Sequence, residues 1–295
     1  MPLLTPLARF RRTAARRSPP GADALVLAAH GLGLRQADGR VVLEPLDLRL
    51  APGELLAVLG ENGAGKTSLL RLLAGEVPAS GLRPCGELCL AGRPLADWSA
   101  REQARLRAVL PQHTDLAFDF NAAELVALAR HPHGDSPAEA RAIAAQALAL
   151  TGASDFALRG LRELSGGERA RVFLAAALAQ LWAADDPQPR LLLLDEPTAA
   201  LDLAQQHRLL ATVRAFAASR RLGVVAIVHD LNLAAQYADR VLLLAGGHRL
   251  AEGPPDAVLQ PGPIARGFGV RAACLAHPLA PGQALIATAA SGGMA

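Results

Sequence analysis

The chain has 295 residues, 51% of them hydrophobic, and a formal net charge of only +3 at neutral pH. No apolar run approaches the roughly 18 residues that a membrane-spanning helix needs, so the sequence predicts a soluble protein. Arginines near the N-terminus account for the positive charge, which argues against a dedicated nucleic-acid surface on the remainder. Cys85, Cys89 and Cys274 are too few for a disulfide framework and indicate reduced cytosolic thiols.

The N-terminal third begins with a segment that lacks a clear apolar face. Residues 1–23 contain many Arg and Pro residues, which predicts a disordered extension; a transit peptide or a contact with anionic lipid is the alternative. Short β-type runs follow on both sides of a glycine-rich loop and predict an antiparallel sheet. These runs are Leu25–Ala29, Val41–Leu43, Leu46–Leu50 and Gly86–Leu90.

The middle of the chain has helical character and the last third alternates. Residues 100–164 are predicted to be mostly helical, with helices at Ala122–Arg130 and Pro137–Leu150. From Leu191 onward, strand and helix patterns alternate as β-α-β-α-β, which predicts a parallel sheet buried on both faces. The runs are Leu191–Leu194, Ala204–Arg220, Val224–Val228, a helix through Ala238, and Val241–Leu244. Gly246-Gly247 predicts a hairpin turn into Arg249–Ala251, whereas the Gly-, Pro- and Ala-rich tail at 261–295 gives no clear prediction.

The glycine-rich loop is the strongest chemical signal. Residues 60–67 read Gly-Glu-Asn-Gly-Ala-Gly-Lys-Thr and fit the phosphate-binding pattern G-x-x-x-x-G-K-[ST], between a buried strand at Leu55–Leu59 and a helix. Lys66 is the only lysine in the chain; it is predicted to reach the β- and γ-phosphates, while the Thr67 hydroxyl holds Mg²⁺. The predicted nucleotide-binding residues here are Glu61, Asn62, Gly63, Ala64, Gly65, Lys66, Thr67 and Ser68. The chain is therefore predicted to bind a nucleoside triphosphate.

Two adjacent carboxylates follow a second apolar strand. Asp195 and Glu196 come directly after Leu191–Leu194, at the carboxyl end of a strand where α/β sheets collect ligands. Many strands end in an acidic residue, but a phosphate loop upstream favours a functional pair. We expect Asp195 to support the Mg²⁺ shell and Glu196 to polarise the attacking water.

Four further elements in one order resemble ATP-binding-cassette (ABC) ATPases. Leu164-Ser165-Gly166-Gly167-Glu168 is similar to the family's signature motif, Gln112 to its Q-loop glutamine, Ala200-Leu201-Asp202 to its D-loop, and His229 to its switch histidine. The resemblance covers about residues 24–269. It implies an α/β P-loop NTPase (RecA-like) ABC ATPase core with an antiparallel β subdomain and an inserted α-helical subdomain. The ATPase domain is placed at 24–260, with its helical subdomain at about 112–165.

The resemblance also implies which residues contact the nucleotide of the same chain and which contact that of a second subunit. Ser165 caps a helix that begins near Gly166, so its hydroxyl and the following N–H groups form a second anion site. In the family that site, with Gly167 and Asp202, meets the nucleotide held by another subunit, so two copies pair head-to-tail around two ATP molecules. His229 contacts the γ-phosphate, and Gln112 senses it while touching Mg²⁺ or the water.

Several positions depart from the common family pattern. Glu61 replaces a Pro, Thr67-Ser68 replaces Ser-Thr, Glu168 replaces Gln, and Ala199 replaces a Ser near the dimer seam. The region 36–38 contains no aromatic residue for stacking on adenine, so stacking is weak or supplied from elsewhere.

The type of cassette is indicated by what surrounds the motifs. Three parts of the chain resemble cassettes that import haem, siderophores or cobalamin, and resemble haem importers most. They are the segment from Leu110 to His133, the interval from Ser165 to Asp195, which is lengthened by Trp182–Arg190, and the stretch His229–Asp239. This implies a peripheral subunit on the cytoplasmic face of the inner membrane, a permease dimer as partner, and a periplasmic substrate-binding protein as an indirect partner. A soluble nucleic-acid-associated cassette ATPase is the alternative from another class. His131-Pro132-His133 could be a haem ligand pair, although a Pro-centred loop more often ends a helix.

Overall fold

A computed structural model describes residues 25–76, 81–112, 119–183, 188–280 and 283–290. The strands are β1 (Leu27–Gln36), β2 (Val41–Leu50), β3 (Leu55–Leu59), β4 (Leu82–Leu90), β5 (Arg93–Pro94), β6 (Arg107–Leu110), β7 (Arg190–Asp195), β8 (Leu222–Ile227), β9 (Arg240–Ala245), β10 (His248–Gly253), β11 (Val270–Ala276) and β12 (Ala284–Ala290). The helices are α1 (Lys66–Leu73), α2 (Ala100–Leu106), α3 (Ala122–Leu128), α4 (Pro137–Leu150), α5 (Gly166–Gln180), α6 (Leu203–Arg220), α7 (Leu231–Tyr237), α8 (Pro255–Val258) and α9 (Pro261–Phe268).

The predicted antiparallel sheet is confirmed, with the order β2-β1-β4-β5. Alternating side chains of β1, such as Leu27, Ala29, Leu32 and Leu34, are fully buried, with bulges that adjust the period. The two predicted runs at 41–43 and 46–50 form one strand, β2, which continues through Pro45. Its buried face packs with α1 against one side of the central sheet.

The central sheet has six strands in the order β10-β9-β3-β8-β7-β6. All neighbours are parallel except the β9–β10 hairpin, whose two-residue turn uses Gly246 (φ +56°) and Gly247 (φ +83°) as predicted. Every residue of β3, β7 and β8 is buried, because helices cover the second face as well. The phosphate loop follows the central strand β3, and the carboxylates follow β7.

One part of the predicted helical region is a strand. Residues 107–110 form β6, which pairs in parallel with β7 and places Gln112 just beyond the sheet edge. The described residues from 119 to 164 are mostly helical, as predicted: α3 and α4 each begin with a capping box and pack with α5 around a separate apolar cluster. A four-residue strand is too short to show a period, so its sequence alone could not separate it from α2.

The C-terminal segment is ordered into α8, α9 and the β11–β12 hairpin. Ile286 of β12 is 4% exposed and joins the apolar cluster on the second face of the central sheet. The side chain of Asn232 in α7 binds both backbone groups of Ile286, donating to its carbonyl at 3.2 Å and accepting from its N–H at 2.7 Å. The predicted extension at 1–23 lies outside the described residues, and the domain boundaries stay predictions. Within the described ranges, no helix combines the length and apolar character needed to cross a bilayer.

Candidate functional site

The phosphate loop curls around the ammonium group of Lys66. Gly63 and Gly65 have φ angles of +82° and +96°, which a side chain would make costly and which let successive N–H groups face inward. The Lys66 Nζ donates to the carbonyl oxygens of Gly60 at 2.8 Å and Glu61 at 2.9 Å. Burial lowers the pKa of Lys66, and the carboxylates of Glu196 and Asp195 oppose that shift. The loop thus holds a cation at the mouth of a backbone nest.

Asp195 brings a carboxylate to the same place from β7. Its side chain is 7% exposed, and its Oδ1 atom is buried without a hydrogen-bond partner among the described residues. Burial, and then the charge of Glu196, raise the pKa of Asp195. A cavity of about 220 Å³ is lined by Thr67, Arg71, Gln112 and Asp195 among others. An unpartnered buried carboxylate oxygen beside a hydroxyl and an amide is a donor set that fits Mg²⁺.

The Glu196 carboxylate is contacted by two other predicted site residues, Gln112 and His229. Its Oε2 accepts a hydrogen bond from Gln112 Nε2 at 2.6 Å, and its Oε1 lies 2.5 Å from His229 Nε2. The Glu196 backbone has a φ of +52°, a left-handed conformation that costs a side-chain-bearing residue on the order of 1–3 kcal/mol. Gln112, Glu196 and His229 come from the ends of three different strands and were all predicted as catalytic; the structure brings them together.

The signature motif forms the start of α5. Ser165 is the N-cap, and with Glu168 it forms a capping box in which Glu168 N–H donates to Ser165 Oγ and Ser165 N–H donates to Glu168 Oε2. Gly166 lines a cavity of about 240 Å³ together with Gln112, Glu196 and Ala199. Gly166, at the start of α5, therefore lies across a cavity from Gln112 and Glu196 of the same chain.

The D-loop is fixed by residues that the sequence did not single out. Asp202 is the N-cap of α6 and accepts from Gln205 N–H at 2.8 Å. The Gln206 amide donates to the carbonyls of Thr198 at 3.3 Å and Leu201 at 3.1 Å, which holds the loop between β7 and α6. A side chain on Gly167 would come within 2.5 Å of Gln205 Oε1, so this glycine allows close packing of the signature on α6. The position of Gln206, one turn into the helix that follows the D-loop, is the sequence feature from which this contact could have been predicted.

His133 is committed to the protein's own backbone. Its Nε2 lies 2.7 Å from the carbonyl oxygen of Gln180 at the end of α5, and the turn His131–His133 follows α3. Burial lowers the pKa of His133. Arg101 and Arg105 of α2 both donate to the carbonyl of Pro132 at 2.8 Å. This loop therefore joins the helical subdomain to the core, which favours the structural interpretation over a haem ligand pair.

Comparison with known proteins agrees with this geometry. A family model described as ABC transporter matches residues 43–199. The hemin import ATP-binding protein HmuV of Gloeobacter violaceus is 51% identical over 256 residues, covering 86% of this chain and 90% of that protein. HmuV of Burkholderia pseudomallei is 53% identical over 245 residues, covering 79% and 90%. Among solved structures, an inward-facing metal-chelate type ABC transporter is similar with a TM-score of 0.74 at 26% identity, covering 90% of this chain and 98% of that one. The chain belongs to the ABC transporter family, as one of its ATPase subunits.

Proposed function

We propose that this chain is the ATP-hydrolysing subunit of an importer that carries haem across a bacterial cytoplasmic membrane. The observation that carries the hydrolytic part is Glu196, held between Gln112 and His229. The names of the relatives, which are hemin import proteins, support haem as the cargo. The chain then acts peripherally, on the cytoplasmic face of the membrane.

The residues of the site support in-line attack of water on the γ-phosphate. Lys66 and the N–H groups of its loop bind the phosphates, and Glu196 orients the water and accepts its proton. His229 and Gln112 keep the Glu196 carboxylate in place. Thr67 and Asp195, with Gln112, would hold Mg²⁺, which when bound neutralises charge on the β- and γ-phosphates.

A second copy of the chain is part of this proposal. The start of α5 is a helix N-terminus with an N-cap hydroxyl at Ser165, and such ends attract phosphate. A head-to-tail dimer places each Ser165 on the nucleotide of the other copy. Mixing Ser165→Ala protein with Lys66→Ala protein leaves one composite site intact, and ATPase activity above either variant alone is expected. Wild-type turnover by Ser165→Ala alone would contradict the head-to-tail arrangement.

The permease docks, in this proposal, in a groove between the core and the helical subdomain. The groove encloses about 710 Å³, and its lining includes Arg101, Leu128, His131 and Pro132. Leu128 is 51% exposed there, although it is a large apolar residue. Phe118 of the neighbouring segment lies outside the described residues, and Phe120 packs partly buried against the helical cluster. Leu128 is therefore the cleaner position at which to perturb docking.

The cargo is tested by growth, and the docking groove by uncoupling. A deletion strain is supplied with haem, a siderophore or cobalamin as the limiting nutrient. It should fail to grow on haem and should still grow on each of the other two. Intact growth on haem with loss of growth on either other compound would assign the cargo to that compound instead. Leu128→Arg should abolish haem-dependent growth while the purified protein keeps its ATPase activity. The matched control is Leu275→Arg, since Leu275 is 52% exposed on β11, away from the groove.

A further inference from the structure

The signature serine of this chain is hydrogen-bonded to a carboxylate. Ser165 Oγ lies 2.9 Å from Glu168 Oε2, and the Ser165 N–H donates to the same oxygen at 2.8 Å. These hydrogen bonds, first the backbone one and then the side-chain one, lower the pKa of Glu168, so the group is ionised at neutral pH. An ionised carboxylate can only accept. The Ser165 hydroxyl must therefore donate its single proton to Glu168.

This arrangement conflicts with the anion-binding role of the same helix start. Where Gln stands in the common form of the signature, Glu168 places a full negative charge one turn from Ser165. A phosphate that approaches Ser165 meets that charge and a hydroxyl whose proton is already shared. Like charges in close contact weaken binding unless a cation offsets them.

Arg159 supplies that cation from the loop before the signature. Its Nη1 donates to Glu168 Oε1 at 3.0 Å, on the carboxylate oxygen that does not touch Ser165. Its Nη2 donates to the carbonyl of Glu163 at 2.7 Å, which fixes the guanidinium against the turn that leads into α5. The side chains of Arg159 and Glu168 are 44% and 23% exposed, so water screens this contact in part.

We propose that Arg159 is a positioning residue that offsets the charge of Glu168, so that Ser165 can bind the γ-phosphate of ATP held by a second copy. This role rests on the proposed head-to-tail dimer. In this role Arg159 does not contact nucleotide; it binds the far carboxylate oxygen, Oε1, and lowers the net negative charge at the helix start, while Oε2 stays on Ser165. Glu168 and Arg159 then replace the neutral Gln of the common signature as a pair.

The test measures ATP-driven dimerisation of the full-length chain in a Glu196→Gln background, in which hydrolysis is slow. Adding Arg159→Ala should raise the ATP concentration for half-maximal dimerisation by about tenfold, the effect of losing one charge-assisted hydrogen bond. Binding of a fluorescent ATP analogue to dilute monomer should change less than about twofold, because the phosphate loop is untouched. In the same Glu196→Gln background, the variant that carries both Arg159→Ala and Glu168→Gln should dimerise at the same ATP concentration as the variant that carries Glu168→Gln but keeps Arg159.

The matched control is Arg162→Ala, which removes the same charge from the same loop. Arg162 pairs with Asp119 at 3.0 Å on the surface, where both side chains are more than two-thirds exposed, and no effect on dimerisation is expected. An equal loss in Arg162→Ala, or an undiminished loss of Arg159→Ala in the Glu168→Gln background, would overturn the role of Arg159. A Glu196→Gln parent that stays monomeric at every ATP concentration would instead overturn the dimer, and the role of Arg159 with it.

Discussion

Replacing Asp195 by Asn should stabilise the nucleotide-free protein while it disables the metal site. Asp195 is 7% exposed, and one of its carboxylate oxygens has no partner among the described residues. A buried polar atom without a partner costs roughly 1–3 kcal/mol, and an ionised carboxylate costs more to bury than a neutral amide. Asn removes the charge, although it leaves a polar atom at the same place. We expect the free energy of unfolding to rise by about 1–2 kcal/mol at pH 7, measured by urea denaturation in EDTA.

The stability difference between Asp195→Asn and wild type should depend on pH in a defined direction. The pKa of Asp195 is raised in the folded protein, chiefly by burial, so folding disfavours the ionised form. That penalty is complete above the folded pKa and vanishes below the unfolded one, where the carboxyl is protonated in both states. The advantage of Asp195→Asn over wild type should therefore shrink as the pH falls through the folded pKa of Asp195. Asp119→Asn, at an exposed ion pair, is the control and should change stability by less than about 1 kcal/mol.

Mg·ATP should make wild type more stable than Asp195→Asn, the reverse of the order expected without nucleotide. Mg·ATP at a hundred times its dissociation constant stabilises a folded protein by about 2.7 kcal/mol. Wild type should gain this, and Asp195→Asn should gain less because it lacks the carboxylate expected to hold the metal. A variant less stable than wild type without nucleotide, or an advantage that does not shrink toward low pH, would refute the view that Asp195 is a strained, metal-ready carboxylate.

Three other outcomes are expected. Lys66→Ala should lose nearly all ATP hydrolysis and weaken nucleotide binding, since the phosphates lose the ammonium of the loop; near-normal turnover would contradict the assignment of the loop. Glu196→Gln should retain ATP binding but slow hydrolysis by roughly 10²–10⁴-fold, and it should form an ATP-bound dimer on size-exclusion chromatography. Ile286→Ala should lower the free energy of unfolding by roughly 2–5 kcal/mol, because it empties a fully packed position. Limited proteolysis should then cut the C-terminal hairpin first, and an unchanged cleavage pattern would show that Asn232 alone holds it.

The phosphate loop and the parallel sheet could be predicted because their signals are local. A continuous apolar run gives β3, the glycines give the turn, and helical spacing after Lys66 gives α1. The order of strands and helices after Leu191 follows from periodicity in the same way. The sequence also indicated that Glu196 and His229 follow two of those strands. The meeting of Gln112 with them could be expected only from the family resemblance, because β6 lay in a region predicted to be helical.

What the sequence could not show is set by contacts between distant segments. The C-terminal hairpin is built from Ala-rich strands with a weak pattern, and its position depends on the fork between Asn232 and the backbone of Ile286. The left-handed backbone of Glu196 is similarly imposed from outside, because nothing in a Glu residue favours a φ of +52°. Gln112 and His229 hold its side chain, and the Ala199 N–H donates to its carbonyl at 3.2 Å. The strain is found at the residue that is expected to orient water.

Three polar groups of the site differ in whether they already have a hydrogen-bond partner. Lys66 and Ser165 already have partners within the chain, namely two loop carbonyls and the Glu168 carboxylate. Phosphate binding at these positions exchanges one hydrogen bond for another, so each contributes only about 0.5–3 kcal/mol net. Asp195 is the exception, because its buried oxygen has no hydrogen bond to give up among the described residues. The largest gain on binding should therefore come from the metal rather than from the phosphates, and nucleotide affinity should fall more on adding EDTA than on mutating Ser165.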